Sequence, residues 1–317
     1  MDNILVTGTA GQIGSELVPA LRDNYDGDTV VAGWNKTPLS EDILETGPNV
    51  VLDVTDFNAL EKIVRDFKVG TIFHMSSILS ATAETIRTTA HDVNINGTFN
   101  ILECAYLNGL EKVILPSSIA AFGDKTPRTR TPNDTIQNPN TVYGISKVFG
   151  ELMGNYYHSK LGLDVRGIRL PGIISWKTEP TAGTTDYAVA MFYEAIRKNS
   201  YECYLAPDTA LPMMYMPDAI NALIKLYQAD SQVLIHHSDF NIHAMTFTPD
   251  DLAREIMKIN PQFEISYKID PVRQSMADSW PISLDDSKAR EEWGWEPEYT
   301  IQDLAEDMYL NLTKKLS

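Results

Sequence analysis

A tyrosine and a lysine four residues apart, Tyr143 and Lys147 in the stretch TVYGISK, are well suited to proton transfer. Four residues make about one helical turn, so both side chains leave the same face of a predicted helix. Ser118, in the stretch PSSIAAFG, ends a predicted strand upstream. A free phenol titrates near pH ~10, and a neighbouring positive charge lowers that pKa. The three residues predict a relay in which Ser118 holds a substrate hydroxyl, Tyr143 takes its proton and Lys147 stabilises the phenolate.

A glycine-rich stretch, GTAGQIG over residues 8–14, follows the first predicted strand and leads into a predicted helix. Gly8 permits the tight turn, Gly11 lets backbone amides approach a pyrophosphate closely, and Gly14 allows the helix to pack on the strand. Unpaired amides and the positive dipole at the start of that helix favour a bound anion. Because the glycines lie between a strand and a helix, they predict a dinucleotide-binding loop, to which Gln12 and Ile13 also belong.

The residues that end the second predicted strand, Trp34, Asn35 and Lys36, bear on which nicotinamide cofactor binds. A carboxylate at this place holds the ribose hydroxyls of NAD, whereas a basic residue favours the 2′-phosphate of NADP. Asn35 suits the ribose hydroxyls and Lys36 suits a phosphate, so these residues alone leave both cofactors open. Asp53 ends the third predicted strand, either to accept a hydrogen bond from the adenine amino group or only to form a turn.

Short apolar stretches alternate with helical patterns in the first half of the chain, as expected for strands that are buried on both faces. The predicted strands are residues 3–8, 29–33, 50–53, 71–75, 112–118 and 163–170, and clear helical patterns cover residues 57–67 and 96–109. This alternation predicts an α/β fold with a doubly wound parallel sheet, whose active site lies at the carboxyl ends of the strands. After residue 175 the order loosens, which predicts a smaller second lobe.

Charge and hydropathy argue against several kinds of partner. The net charge is −17, and so negative a protein repels phosphate backbones, which disfavours nucleic-acid binding. No apolar run approaches the length of about 18 residues typical of a membrane-spanning helix. The N-terminal stretch lacks the features of a signal or transit peptide, so we expect a cytoplasmic location. Cys104 and Cys203, like the adjacent His236 and His237, lack metal-ligand spacing, and we predict no metal site.

The motifs occur together, and in the same order, in the extended short-chain dehydrogenase/reductase family, which the chain resembles over nearly its whole length. The matching stretches are GTAGQIG, DV at 53–54, VNINGT, PSSIAAFG, YGISK and DDSKAREEWGWEPEY. The resemblance implies a Rossmann domain over residues 1–175, to which segments from about 208–245 return. A smaller α/β substrate lobe would then cover residues 176–207 and 246–317.

The resemblance also implies further cofactor contacts and an assembly. Val54 and Ile173 join the predicted cofactor contacts, and Lys147 would bond the nicotinamide ribose. Asn94, in VNINGT, either supports a water or backbone link to Lys147 or is a plain helix asparagine. Members of the family commonly dimerise through two long helices, so we expect a homodimer formed by the helices that contain residues 82–108 and 142–161.

The second half of the chain is similar to NAD-dependent L-threonine 3-dehydrogenases of the epimerase-like type, a group within that family. The stretches that carry the similarity are RLPGIIS (169–175), GTTDYAV (183–189), DTALPMMYMPDAI (208–220) and RQSMADSWP (273–281). The similarity implies NAD as the cofactor and oxidation of L-threonine at C3 to 2-amino-3-oxobutanoate. One departure is that these enzymes usually carry an aspartate near the position of Trp34, where this chain has none.

The predicted substrate contacts beyond Ser118 and Tyr143 come from three places in the chain. Gly183, Thr184 and Thr185 offer backbone amides and hydroxyls to a carboxylate, although TTD also suits a helix N-cap. Ser80 follows the fourth predicted strand and would reach the ammonium or carboxylate group. Trp280 either closes over the pocket as an apolar lid or belongs to the core.

Two other functions stay open at this point. A nucleotide-sugar 4-epimerase or dehydratase keeps NAD tightly bound, and it would need room and cations for a diphosphate in the second lobe. A non-catalytic dinucleotide sensor could share the same fold. The intact Ser–Tyr–Lys set argues against a sensor, because a sensor needs no proton relay.

Overall fold

The computed structural model describes residues 2–181 and 183–317 and has an α/β architecture. Its strands are β1 (Asn3–Thr7), β2 (Val30–Trp34), β3 (Asn49–Val51), β4 (Val69–His74), β5 (Lys112–Ile114), β6 (Ser117–Ser118), β7 (Asp164–Arg166), β8 (Ile168–Leu170), β9 (Gly172–Ile174), β10 (Ser200–Cys203), β11 (Leu211–Tyr215), β12 (Phe240–Asn241), β13 (Met245–Phe247) and β14 (Glu264–Tyr267). Its helices are α1 (Gly14–Asn24), α2 (Glu41–Glu45), α3 (Phe57–Asp66), α4 (Ser80–Thr85), α5 (Arg87–His91), α6 (Gly97–Leu107), α7 (Val142–Leu161), α8 (Tyr187–Lys198), α9 (Met216–Gln228), α10 (Pro249–Ile259), α11 (Pro271–Ser279), α12 (Ser287–Trp293) and α13 (Ile301–Leu316). A π-helical turn, Asp92–Asn96, joins α5 to α6, and 3-10 turns cover Gly27–Thr29 and Ile119–Ala121. Among these described helices, none is long and apolar enough to cross a lipid bilayer.

Six parallel strands form the central sheet, in the order β3-β2-β1-β4-β5-β7. Its strands are apolar because helices cover both faces: Ile4 and Val6 of β1 pack toward α1 and α9, and Leu5 packs toward α3 and α6. The strand order changes direction at β1, which is where doubly wound sheets bind ligands at the carboxyl ends of their strands. The predicted parallel sheet of Rossmann type is confirmed.

Two predicted strands, 112–118 and 163–170, are each divided in the structure, so their prediction as continuous strands was wrong. The second breaks at Gly167, whose amide donates to the His237 carbonyl at 2.8 Å and whose carbonyl accepts from the Phe240 amide at 3.1 Å. The first breaks at Leu115 and Pro116, between β5 and β6. After the breaks the chain forms a separate small sheet, β12-β8-β6. Ser118 therefore belongs to this small sheet and not to the central one.

The second half of the chain builds its own core around α8, α10 and α13. Phe192, Leu252 and Met308 are buried together there, beside the sheets β13-β11-β9 and β10-β14. Side chains between residues 214 and 242, among them Phe240, instead pack in one cluster with the central sheet. The lobe boundary at residue 175, and the return of residues 208–245 to the first domain, stay predictions.

The helix α7 is placed by its first turn. Thr141 caps it, because its Oγ1 accepts a hydrogen bond from the Gly144 amide at 3.0 Å. A Cβ on Gly144 would lie 2.1 Å from the Ala120 carbonyl oxygen, so only glycine lets the helix approach the turn that follows β6 so closely. This contact brings the start of α7, and with it Tyr143, to the carboxyl end of β6.

Candidate active site

The glycine loop between β1 and α1 has a shape that fits a pyrophosphate. Gly8 has a φ of 68°, and a Cβ there would lie 2.6 Å from the backbone nitrogen of Ser76. A Cβ on Gly14 would lie 2.4 Å from the Gly8 carbonyl oxygen. Ile13 occupies the N-cap of α1, and its apolar side chain cannot cap the helix. The Ser15 and Glu16 amides donate to the carbonyls of Gly11 and Ile13, so among the described residues the Gly14 amide is the one at the start of α1 that is left for an anion.

A groove beside the loop brings together the residues predicted to contact the adenosine half of the cofactor. It is lined in part by Gly8, Gly11, Trp34, Asn35, Lys36, Asp53 and Val54. Asp53 Oδ1 accepts hydrogen bonds from the Thr55 amide at 2.9 Å and from the Thr55 hydroxyl at 2.7 Å. These bonds, with smaller contributions from Asn35 and Lys36, lower the pKa of Asp53. Asp53 thus forms a turn and also lines the groove, and its contact with adenine stays a prediction.

Ser118, Tyr143 and Lys147 line one cavity at the carboxyl end of β6. The Ser118 hydroxyl lies near enough to the Tyr143 phenol to lower its pKa. Lys147 Nζ donates to the Pro116 carbonyl at 3.0 Å and lies 5.3 Å from the centre of the Tyr143 ring. The three side chains are therefore adjacent, as a proton relay requires.

Burial makes the Tyr143 phenol a weaker acid than a free phenol in the protein by itself. Burial raises its pKa from 10.0 to about 12, and the Ser118 hydroxyl offsets only part of that rise. Burial also lowers the pKa of Lys147 from 10.5 to about 8, against the opposing charge of Glu151. The predicted fall of the Tyr143 pKa toward neutrality counts the positive charge of an oxidised nicotinamide together with that of Lys147, so it stays a prediction for the complex with the cofactor. A phenolate at pH 7 needs a further positive charge, such as that of an oxidised nicotinamide.

Asn94 holds the segment after β4 in place. Its Oδ1 accepts from the Ile78 amide at 2.8 Å, and its Nδ2 donates to the Ile78 carbonyl at 2.9 Å. The π-helical turn that contains Asn94 directs this amide toward the sheet edge. Asn94 also lines a small polar cavity next to Lys147, and its predicted link to that lysine stays a prediction.

His74, at the end of β4, lies beside the relay and was not among the predicted site residues. The Thr98 hydroxyl donates to the Asn94 carbonyl at 2.7 Å, so it accepts from His74 Nε2, while Thr7 donates to Nδ1 at 2.9 Å. Burial, reinforced by the charge of Lys147, lowers the pKa of His74 to about 3, and the ring is neutral. The sequence did contain a signal for this residue, because a histidine ends a buried strand at the edge of the sheet where the active site was predicted.

The opposite wall of the cavity holds the predicted substrate contacts: Ser80, Gly183, Thr184, Thr185 and Trp280. Gln12 and Ile173, two predicted cofactor contacts, line the same cavity. The Trp280 side chain is buried in the core of the second half and also forms part of the cavity wall, and its role as a lid stays a prediction. The structure thus brings these predicted residues together at one cavity.

The two threonines do not cap the helix that follows them. The N-cap of α8 is Asp186, and the Thr184 hydroxyl lies 3.6 Å from the Met276 sulfur. The Tyr204 hydroxyl lies 3.1 Å from the Gly183 carbonyl oxygen, to which it donates. The alternative of a threonine N-cap was therefore wrong. The Gly183 amide donates to the Thr181 hydroxyl at 3.4 Å, so the amides of Thr184 and Thr185 are the ones that the described chain leaves for a ligand.

Few of the described side chains that line the cavity are charged. Among the described residues that line it, Lys147 is the only one with a cationic side chain, because His74 is neutral. Asp186, which the sequence-based reasoning also missed, is the only carboxylate on this wall of the described chain. Its position directly after the two threonines was the feature of the sequence that could have identified it as a site residue. The cavity supplies no second cation for a diphosphate.

A cluster of metal-binding residue types lies elsewhere, at the end of α7. The rings of His158 and His237 stack with centroids 3.4 Å apart, close to Asp164. Both oxygens of Asp164 already accept hydrogen bonds from Arg166, at 2.8 and 2.7 Å. A guanidinium ion so close to the carboxylate opposes the binding of a metal cation there.

Known proteins share this architecture. Residues 4–242 match the NAD dependent epimerase/dehydratase family. An uncharacterized epimerase/dehydratase of Staphylococcus haemolyticus is 47% identical over 99% of each chain. The X-ray structure of an L-threonine dehydrogenase from Clostridium difficile is 47% identical, with a TM-score of 0.96 over 99% of this chain and 98% of that chain. An L-threonine 3-dehydrogenase from a metagenome, described as monomeric, is 43% identical, with a TM-score of 0.94 over 99% of this chain and 100% of that chain.

Proposed function

Because this chain belongs to the NAD dependent epimerase/dehydratase family, we propose that it is an NAD-dependent L-threonine 3-dehydrogenase. The reaction takes the proton of the C3 hydroxyl and a hydride from C3, and it yields 2-amino-3-oxobutanoate and NADH. The observation that carries the proposal is the cavity itself, in which the relay faces small polar groups and Lys147 is the only described cation. Such a cavity suits a small zwitterion better than a sugar diphosphate.

The residues that would hold NAD follow from the two neighbouring cavities. Amides of the Gly8–Gly14 loop would bind the pyrophosphate, Asn35 the adenosine ribose and Asp53 the adenine amino group. Lys147 would bond the nicotinamide ribose. NAD, when bound, supplies the acceptor for the hydride and a positive charge near the phenol.

The chain's own residues perform the proton transfer. Ser118 fixes the substrate hydroxyl by a hydrogen bond, and Tyr143 accepts the proton of that hydroxyl as the carbonyl forms. The Lys147 ammonium ion lies over the Tyr143 ring and favours the phenolate over the phenol. The neutral His74 adds no competing charge on the other side of Lys147.

The substrate is oriented by the wall opposite the relay. Backbone amides and hydroxyls of Thr184 and Thr185, next to Gly183, bind the carboxylate. Ser80 contacts the ammonium or carboxylate group, and Trp280 covers the apolar side of the substrate. With these contacts made, the C3 hydrogen faces the cofactor side of the cavity.

The first prediction concerns the substrate. With NAD, L-threonine should give NADH at a kcat/KM well above that of L-serine, because burial of its methyl group is worth roughly 1–3 kcal/mol, or about 10–200-fold. D-Threonine should be poorer still than L-threonine, because its inverted C2 misplaces the charged groups relative to residues 183–185. The assay follows NADH absorbance with each amino acid in parallel.

UDP-galactose in the same panel decides between this proposal and the epimerase alternative. Formation of the sugar epimer without threonine-dependent NADH would overturn the dehydrogenase proposal. Binding of NAD without turnover of any substrate would instead favour the sensor alternative. NADH formation with L-threonine and no sugar epimerisation is the expected outcome.

The second prediction concerns the adenosine ribose. No carboxylate stands at residues 34–36 to repel a 2′-phosphate, so NAD should exceed NADP in kcat/KM by a narrow margin. Lys36→Glu should widen the margin by roughly tenfold, because it places a negative charge at the groove. Lys258→Glu, the same change at an exposed lysine of α10, is the control and should leave the ratio unaltered. A preference for NADP in the parent protein would show that Lys36 governs this site.

We also infer a homodimer in the cytoplasm, with α6 and α7 at its interface. Large apolar side chains are exposed along one stretch of each helix: Phe99, Tyr106, Leu107, Ile145, Leu152 and Tyr156. Spacings of seven residues, as between Ile145 and Leu152, keep such side chains on one face. One similar enzyme is described as monomeric, so the mass in solution is the deciding measurement, and a one-chain mass would refute the dimer.

A further inference from the structure

Glu151 stands one helical turn after Lys147 on α7 and continues the row that begins at Tyr143. The three residues are spaced four apart, so their side chains lie on one face of the helix. Only 3% of the Glu151 side chain is exposed. A carboxylate so deeply buried is stable only when other groups compensate its charge.

Three side chains compensate it. Arg169 of β8 donates from Nε to Glu151 Oε1 at 2.9 Å and from its Nη2 to Oε2 at 2.8 Å, a two-pronged pair that is itself buried. Gln137 Nε2 donates to Oε2 at 2.6 Å, and the Ser117 hydroxyl donates to Oε1. These contacts fix the position of the carboxylate.

Lys147 faces this carboxylate across a small polar cavity, which both residues line together with His74, Asn94 and Ser117. Its one hydrogen bond among the described residues goes to a neutral carbonyl, that of Pro116. Glu151 is the negative charge whose field acts on the ammonium ion. Without it, Lys147 would stand beside a neutral imidazole, a phenol and an oxidised cofactor.

We propose that Glu151 is a positioning residue for this reaction: its fixed carboxylate holds Lys147 as an ammonium ion directed at the relay. The proposal rests on the proposed function, since it concerns the same relay. Glu151 is not among the described residues that line the substrate cavity or the adenosine groove, and it acts through Lys147. The pairing with Arg169 serves to hold the carboxylate in place, so the buried ion pair has a functional role beyond packing.

The other charged groups around the pair leave this assignment intact. Arg169 on β8 is the cation that pairs with Glu151, and the charges of Asp134 and Asp239 also act on Arg169. His74 on β4 is neutral, and Tyr143 is a phenol in the absence of a further positive charge. The negative charge nearest to Lys147 on its own helix is therefore that of Glu151.

The third prediction is that Glu151→Gln lowers the titration midpoint of Lys147 by about one pH unit, the effect of one nearby opposite charge. Removal of a negative charge makes the ammonium ion easier to deprotonate, so the midpoint falls. The measurement is NMR of the protein labelled with ¹³C at the lysine ε-carbon, without cofactor or substrate. The Lys147 resonance is identified by its loss in Lys147→Met.

The same variant should move the alkaline limb of the kcat/KM profile for L-threonine to lower pH by a similar amount. Glu151→Asp keeps the charge and should leave both midpoints close to those of the parent. Glu61→Gln, which removes a glutamate that pairs with Arg65 one turn away on the surface of α3, is the matched control and should move neither. A purely structural role would lower activity and stability without moving these midpoints.

An unchanged Lys147 midpoint in folded Glu151→Gln protein would overturn the proposal. If that variant does not fold because Arg169 is left unpaired, Glu151→Gln/Arg169→Met removes both charges, and its Lys147 midpoint must still fall. Because the NMR titration needs no turnover, it tests the role of Glu151 independently of the proposed function. A shifted midpoint in a protein that does not oxidise L-threonine would refute the proposed function and uphold the role of Glu151.

Discussion

Tyr143→Phe should lower the turnover of L-threonine by about 10²–10⁴-fold, the range for loss of a positioned acid–base group. The change removes one hydroxyl and keeps the ring that packs against the second-half core. Lys147 retains its hydrogen bond to Pro116, so the affinity for NAD should stay nearly the same. Steady-state kinetics give the turnover, and quenching of protein fluorescence by added cofactor gives the affinity.

Tyr156→Phe is the matched control, because it removes a hydroxyl from the same helix at a side chain that is half exposed. It should leave turnover unaltered. If folded Tyr143→Phe protein turned over at the rate of the parent, the phenol would have no part in the reaction, and the relay derived from Ser118 and Lys147 would fall with it.

Gly8→Ala should weaken NAD binding by roughly 100-fold, the effect of a displacement of about 1 Å at a site built for close contact. The new methyl group would lie 2.6 Å from the Ser76 amide nitrogen, so the segment after β4 must move. That segment borders both the adenosine groove and the substrate cavity. Isothermal titration with NAD measures the loss directly.

Gly162→Ala separates the effect of backbone strain from the effect of a steric clash at the new Cβ. Gly162 ends α7 with a φ of 76°, similar to the 68° of Gly8, but nothing lies within 4 Å of the position of its Cβ. It should cost about 1–2 kcal/mol of stability through backbone strain and leave NAD affinity unaltered. Equal losses of affinity in the two variants would mean that the loop at Gly8 does not contact the cofactor.

The features that sequence patterns predicted are local ones. A one-turn spacing puts Tyr143 and Lys147 on one face of any helix, and glycines between a strand and a helix form a phosphate loop in many surroundings. The doubly wound parallel sheet followed from the alternation of strands and helices. These inferences needed no knowledge of which distant residues meet.

The features that the sequence patterns did not predict depend on contacts between residues that are far apart in the sequence. Glu151, on helix α7, acquires a role only because Arg169, on strand β8, pairs with it. The break at Gly167 exists because the chain near residues 237–240 takes its backbone hydrogen bonds. The acidity of Tyr143 reflects the loss of water around it, which sums over all its neighbours and has no sequence signature.

The break that divides two predicted strands also has an evolutionary consequence. The cofactor groove rests on the six-stranded sheet, while Ser118 and the wall that carries residue 173 rest on small sheets with their own hydrogen bonds. The structural effect of a substitution in one of these sheets is therefore not transmitted to the other through shared backbone hydrogen bonds. Proteins that descend from one ancestor can therefore change the substrate group that is oxidised and still keep the same nucleotide site. A family that includes epimerases, dehydratases and dehydrogenases has the diversity expected when these two sites rest on separate sheets.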